Sequence, residues 1–421
     1  SWPVNETILA DDGYSGLRLA AGVAMPHDRS RYVLIPVGQI PCTAGWNECA
    51  IKNDNYGQMA YVQEVASNGT VANIGQIRPS TGEYVVQAAL DGDELALLTG
   101  SRPRALDSPF SGAFDFKSIE LHRRDSAGRW QLVASAEIAP TCHAWCDGGF
   151  DFHMAMKNRI LSMKDGRIVL IHERYSLPRP YYFQSSRNKA KLFRLSRDAD
   201  GRERLSLEHS IDVPSDPLAQ VGRDDYAFTV WQGDSTFAVY TYAGDVQRGW
   251  VHVYGKAETG APRLLRSVPV GCRDRGGDAH SQLAAYAADL LFVVTPLGIQ
   301  VLDTAVASVP QVSLITDYRK PIPGVQLPGM ACASGVEVSE GKLAVLSLTD
   351  FELRTLDRHA QVALYSLQSA SIRLEGAWHI AEIRAPLSYS FGIASGQLVF
   401  QEYSTFALLP RVVRSYRLAR P

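Results

Sequence analysis

Two of the ten histidines stand among carboxylates: His153 follows Asp147 and Asp151, and His280 follows Asp278 in GCRDRGGDAH. An imidazole beside a carboxylate takes or gives a proton near neutrality, and Tyr389 is a third group that can carry one. Arg223, Arg273 and Arg275 add forked cations, and the segment RPYYF places Arg179 close to Tyr182. Guanidinium forks bind carboxylate or sulfate, and aromatic faces stack on sugar rings. Such a set suits an acidic saccharide. Abstraction of the proton next to a uronate carboxylate needs a base and a cation that stabilises the enolate-like transition state. His153, His280 and Tyr389 are therefore the candidate proton-handling residues, and Arg223, Arg273, Arg275, Arg179 and Tyr182 the candidate substrate-binding ones. Asp225 and Asp278, with the two histidines, could also hold Ca²⁺ or another divalent metal, although no spacing here is diagnostic.

The six cysteines are Cys42, Cys49, Cys142, Cys146, Cys272 and Cys332, with two close pairs in the polar segments PCTAGWNEC and CHAWC. Disulfides are the first reading, with a metal site or free thiols as alternatives. Neither pair has zinc-knuckle spacing, and CHAWC is not a haem-attachment motif. Bridges persist in oxidising compartments, so a periplasmic or extracellular location is expected.

These residues need elements to position them. Helical periodicity is nearly absent, and short β-branched or aromatic runs recur between Gly, Asp, Asn and Pro. A two-part unit appears seven times: an apolar strand, a tight polar turn and a second, strongly apolar strand. The pairs are LRLAAGVAM with RYVLIPVG, EYVVQAAL with ELALLTG, FHMAMKNRI with GRIVLIHE, and YAFTVW with TFAVYTY. SQLAAYA with DLLFVVT, SGVEVSE with GKLAVLSL, and YSFGIAS with GQLVFQEY complete them. A third strand follows each pair and a fourth follows six of them; the seventh unit stops short, and VNETILA at the N-terminus has the composition to supply its last strand.

Seven four-stranded units with the last completed from the opposite end resemble a seven-bladed β-propeller of the broad YVTN or quinoprotein-like superfamily. The resemblance covers the whole chain as a single domain, residues 1–421, with residues 4–10 completing the seventh blade. A jelly roll or paired β-sandwiches would not explain the sevenfold count. The resemblance names no function, and no WD40 signature or regular Asp-box narrows it. What it implies is an order among the loops. Connections between blades, and between second and third strands, share one face, and there the long segments gather with all six cysteines. The implied pairs are Cys42 with Cys49, Cys142 with Cys146, and Cys272 with Cys332. Long loops are retained where binding happens. The starts of the inner strands, Arg18, Tyr84, His153, Asp225 or Tyr226, His280, Ser334 and Tyr389, are expected at the channel mouth. The alternative for these positions is a polar ring that only ties blades together. His122, His209, His252 and His379 fall in outer strands and read as packing or surface residues.

Composition sets the remaining bounds. Of 421 residues, 46% are apolar and 20% charged, as in a protein with a full core. Net charge is -2, so no basic field is available to hold a nucleic acid. No run is long and apolar enough for a membrane helix, and the opening SWPVNETILADDG lacks the regions of a signal peptide, as expected of a processed chain. No GxSxG, GxxxxGK[ST] or GxGxxG occurs, which disfavours serine-elbow and nucleotide chemistry. The expectation is an exported propeller that binds an acidic saccharide, with lyase or hydrolase activity on it; the rival is a non-catalytic propeller whose same face holds a protein partner.

Overall fold

The structure is a computed structural model. It describes residues 6–10, 17–19, 31–36, 59–66, 71–82, 84–101, 115–138, 159–171, 189–214, 216–218, 225–243, 246–256, 260–270, 282–319, 333–339, 341–348, 358–368, 371–383, 388–394, 397–403 and 412–417.

The chain opens with β1 (Glu6–Ala10) and then runs through four-stranded antiparallel sheets in sequence order. The first sheet holds β2 (Leu17–Leu19), β3 (Arg31–Pro36), β4 (Ala60–Val65) and β5 (Val71–Ile77). The second holds β6 (Tyr84–Asp91), β7 (Glu94–Ser101), β8 (Asp115–Arg124) and β9 (Trp130–Glu137). The third holds β10 (Leu161–Lys164), β11 (Arg167–Ile171), β12 (Lys189–Arg197) and β13 (Glu203–Asp212). The fourth holds β14 (Asp225–Gln232), β15 (Thr236–Ala243), β16 (Arg248–Gly255) and β17 (Arg263–Val270). The fifth holds β18 (Ala284–Ala287), β19 (Leu290–Thr295), β20 (Gly298–Asp303) and β21 (Gln311–Ile315), followed by a 3₁₀ turn, Asp317–Arg319. The sixth holds β22 (Gly335–Ser339), β23 (Lys342–Leu348), β24 (Arg358–Gln368) and β25 (Ser371–Ile383). The last joins β26 (Ser388–Ala394), β27 (Gln397–Tyr403) and β28 (Val412–Arg417) to β1, with Glu6 opposite Tyr416 and Thr7 opposite Ser415.

Within each sheet the order follows the chain, and the first strands of successive sheets touch: β6 with β10, β10 with β14, β14 with β18, β18 with β22, and β22 with β26. Sheets stacked side by side through their first strands are the blades of a β-propeller. The burial pattern follows from that stacking. A strand between two neighbouring sheets is covered on both faces, so β7 and β15 read as continuous apolar runs instead of alternating ones. The outermost strands reach water and alternate, as in β9 and β13. One apolar cluster runs from Val86 of the second sheet to Tyr254 of the fourth, and another from Trp231 of the fourth to Tyr365 of the sixth. Among the described residues there is no α-helix, and no helix is long and apolar enough to cross a membrane.

Turn chemistry fixes the register. Lys164 pairs with Arg167 across the two-residue loop Asp165-Gly166, and both loop residues have positive φ, 50° and 69°, the geometry that follows the right-handed twist of the strands. Polar ties then lock neighbouring blades. Arg123 of β8 donates to Glu94 of β7 and, through Nη1, to both carboxylate oxygens of Glu203 on β13 at 2.8 and 3.0 Å. Arg31, fully buried, joins Glu64 of its own sheet to Asp93 at the next sheet's first turn.

In the third unit most of the expected inner strand FHMAMKNRI, including His153, lies outside the described residues. The described pairing with β11 covers Leu161–Lys164, and the Asp165-Gly166 turn sets where this hairpin folds back.

Candidate functional site on the axis

The first strands of the blades should carry only apolar residues if they did nothing but pack. Polar residues nevertheless interrupt several of them, among them Gln87 in YVVQAALD, Thr229 in DYAFTVWQ and Glu337 in GVEVS. All three are buried. Gln87 and Thr229 sit at register shifts, between Val85 and Gln87 and between Ala227 and Thr229. Bulges of this kind re-aim side chains. Gln87 Oε1 accepts from the backbone N–H of Ile160 at 2.9 Å, and Thr229 Oγ1 accepts from that of Arg159 at 3.4 Å. The segment leading into β10 is thereby held from both neighbouring blades.

Arg159 reaches further. Its Nη2 lies 4.0 Å from Oε2 of Glu337, with side-chain exposures of 16% and 8%. β10 and β22 are separated by β14 and β18 in the row of touching first strands. Side chains from strands three places apart meet only across the space that the row encloses, so this contact lies on the axis. Burial pushes the Glu337 carboxyl up to about 7, against the opposing pull of Arg159 and a hydrogen bond with Gln282, which precedes β18. Burial also pulls the Arg159 guanidinium down, with Glu337 as the compensating charge. The guanidinium stays under-satisfied, because Arg159 Nε is buried without a hydrogen-bond partner. A buried cation with, among the described residues, one loose counter-ion and an idle donor is suited to an anion. A carboxyl that titrates near neutrality is suited to proton exchange.

Outside this cluster, His252 and His122 are structural. His252 is buried, with Nε2 3.0 Å from Thr241 Oγ1 and Nδ1 2.8 Å from Ser267 Oγ; burial pushes it down to about 4, so it stays neutral. His122 Nε2 lies 3.0 Å from Glu120 Oε2, and Ser80 donates its N–H and hydroxyl to the same carboxylate. Burial alone would raise Glu120, but the bonds from His122 and Ser80 hold it below the usual carboxylate range. With the carboxylate between serine and imidazole, this trio anchors the link between the first two blades and has no nucleophile–base order.

The residues predicted from sequence lie largely outside the described residues. His153, His280, Arg223, Arg273, Arg275, Arg179, Tyr182, Asp278 and the six cysteines lie outside the described residues. Asp225 opens β14 and Tyr389 lies in β26, but their side chains are not described. Among the described residues no group of three His, Cys, Asp or Glu could hold a metal. Arg159, Glu337, Gln282, Gln87 and Thr229 were missed by sequence reasoning that looked to the starts of inner strands. The signal available was the lone polar residue inside an otherwise apolar run.

No protein-family model matches the chain, and no curated protein matches it. Among solved structures, the WD40 domain of SCAP from fission yeast is 7% identical, with 98% of this chain and 97% of that chain covered and a TM-score of 0.39. A hypothetical selenium-binding protein from Sulfolobus tokodaii is 8% identical over 87% of this chain and 90% of that one, with a TM-score of 0.41. Trypanosoma rangeli sialidase, in complex with the inhibitor DANA, is 11% identical over 85% of this chain and 57% of that one, with a TM-score of 0.39. Likeness at this level carries no statement about the site.

Proposed function

We propose that the chain is an exported seven-bladed propeller, closed by pairing of its first strand with its last, that binds an acidic saccharide at the axial channel. The observation that carries the reading is Arg159: a cation on the axis, mostly buried, with Nε unpartnered and Glu337 no closer than 4.0 Å. A uronate carboxylate supplies the two acceptor oxygens that a guanidinium fork lacks there.

In this proposal the long loops, pinned by the disulfides Cys42–Cys49, Cys142–Cys146 and Cys272–Cys332, shape the approach to the axis and make its geometry rigid before binding. His153, His280 and Tyr389 are the proposed proton carriers for elimination at the uronate, and Arg223, Arg273, Arg275, Arg179 and Tyr182 the proposed contacts to the rest of the chain of sugars. Asp225 and Asp278 are the proposed ligands of a divalent metal such as Ca²⁺.

Titration calorimetry with oligogalacturonate and with a neutral oligosaccharide of equal length tests the reading. Saturable heat with the uronate only, abolished in Arg159→Gln, is expected. Equal response to both sugars, or unchanged uronate binding in a folded Arg159→Gln protein, overturns it. Formation of an unsaturated product in the same mixtures separates a lyase from a binding propeller.

A further inference from the structure

A second cationic locus lies between the third and fourth blades, at their first hairpin turns. Lys164 is directly opposite Arg167, and Arg167 is directly opposite Arg194. Opposed residues in antiparallel strands share a face, and like charges there are destabilising. Two counter-charges are present: Lys164 Nζ meets Asp234 Oδ1 at 2.5 Å, and Arg194 Nη1 meets Glu208 Oε1 at 3.6 Å. The contact to Asp234 shows that this face looks toward the fourth blade.

From that blade comes a further cation. Lys256 follows β16, is held by its N–H to Ser235 O at 2.8 Å, and donates from Nζ to Gly233 O at 2.6 Å. Burial lowers this amine to about 8, helped by the charges of Lys164 and Arg167 and opposed by Asp165 and Asp234. Among the described residues neither Arg167 nor Lys256 makes an ion pair. Lys164, Arg167 and Lys256 are each partly buried and none is closed off from solvent, so the corner can admit a ligand.

We infer that this corner is a binding site for a tetrahedral oxyanion of the sulfate or phosphate type, held by Arg167 and Lys256 with Lys164 at its edge. A compact dianion matches the two cations that lack carboxylate partners, and a guanidinium beside an ammonium supplies both forked and point-like donors. The site lies at the turns joining first and second strands, apart from Arg159 and Glu337, and does not depend on the axial reading.

The test compares sodium phosphate and sodium sulfate with sodium chloride at equal ionic strength, following the melting temperature of the intact protein. The expected result is a rise that grows with the logarithm of phosphate or sulfate concentration and is absent with chloride. Arg167→Met and Lys256→Met, each melting cooperatively, should lose it, and the Lys256 amine, followed by NMR, should titrate at higher pH when the oxyanion is bound. Glucose 6-sulfate at the same concentrations distinguishes a sulfated saccharide from a free ion, tighter binding of the ester assigning the source and weaker binding favouring the ion; both support the site. An equal response to chloride, an undiminished rise in both variants, or a labelled-bicarbonate carbamate on Lys256 in place of a bound oxyanion overturns it.

Discussion

Arg159 Nη2 and Glu337 Oε2 approach to 4.0 Å across the axis, although their strands are three places apart in the ring. The pair lies in a setting where burial dominates charge attraction, and its pH dependence follows from that. Glu337 is held at about 7 in the folded protein and reverts to an ordinary carboxyl, near 4.3, when unfolded. Between those values the folded state binds more protons at Glu337 than the unfolded one, so the contribution of Glu337 to stability is full below about pH 4 and is lost as pH rises through 7. At 1.36 kcal/mol per unit the loss is on the order of 4 kcal/mol, most of it between pH 5 and pH 8. Urea denaturation at pH 5 and pH 8 should show it, and Glu337→Gln should flatten that slope.

The Arg123 bridge predicts a different loss. Its guanidinium spans Glu94 of its own blade and Glu203 of the next, with both acids largely covered. Arg123→Met keeps most of the side-chain bulk and leaves two carboxylates facing each other, which should cost about 2 kcal/mol. The check is a lower denaturation midpoint with unchanged slope, partly restored in Arg123→Met with Glu203→Gln.

The strands were legible because each lies in an apolar run bounded by turn residues, such as ELALLTG after Asp91-Gly92-Asp93. The four-strand rhythm emerged from counting those runs. The axial residues were not legible in the same way. Glu337 within GVEVS looks like any polar residue on an exposed strand face, and only the stacking of neighbouring blades turns that face inward. Arg159 sits at the end of MKNR, where nothing local indicates a partner on a strand some 180 residues later. In the third unit the run FHMAMKNRI is as apolar as the residues that follow it, and the Asp165-Gly166 turn is what sets the pairing of Leu161–Lys164 with β11.

The cysteine pairing is open to a direct measurement. Cys42 with Cys49, Cys142 with Cys146, and Cys272 with Cys332 should each appear as one linked peptide pair in a non-reducing digest. The third bridge, if present, would join the segments before and after the fifth blade and close a 59-residue span of the chain by numbering; closing a loop of that size removes about 4 kcal/mol of unfolded-state entropy in the chain model. Cys272→Ser with Cys332→Ser should therefore lower the melting temperature more than removal of either short-range pair. Equal effects, or linked peptides in another combination, would remove the argument that the loops are pinned.

The proposed closure of the ring makes a sharper demand. β1 pairs with β28, placing Thr7 opposite Ser415 and Ile8 opposite Arg414, so five residues from one terminus cover the edge of a strand from the other. An uncovered edge is a template for pairing with another chain. Proline removes a ladder donor and is tolerated in a strand only where that donor is idle. Thr7→Pro and Ile8→Pro place this disruption at consecutive positions, whose N–H groups point to opposite sides of the strand, so at least one of them loses a bond to β28. That variant should unfold at lower denaturant and aggregate on standing, while its consecutive partner tolerates the change better. Size-exclusion chromatography after incubation reads the second effect. Two variants that both match the parent would mean that β1 adds nothing to the last sheet, and the seventh blade would then stand as a three-stranded one.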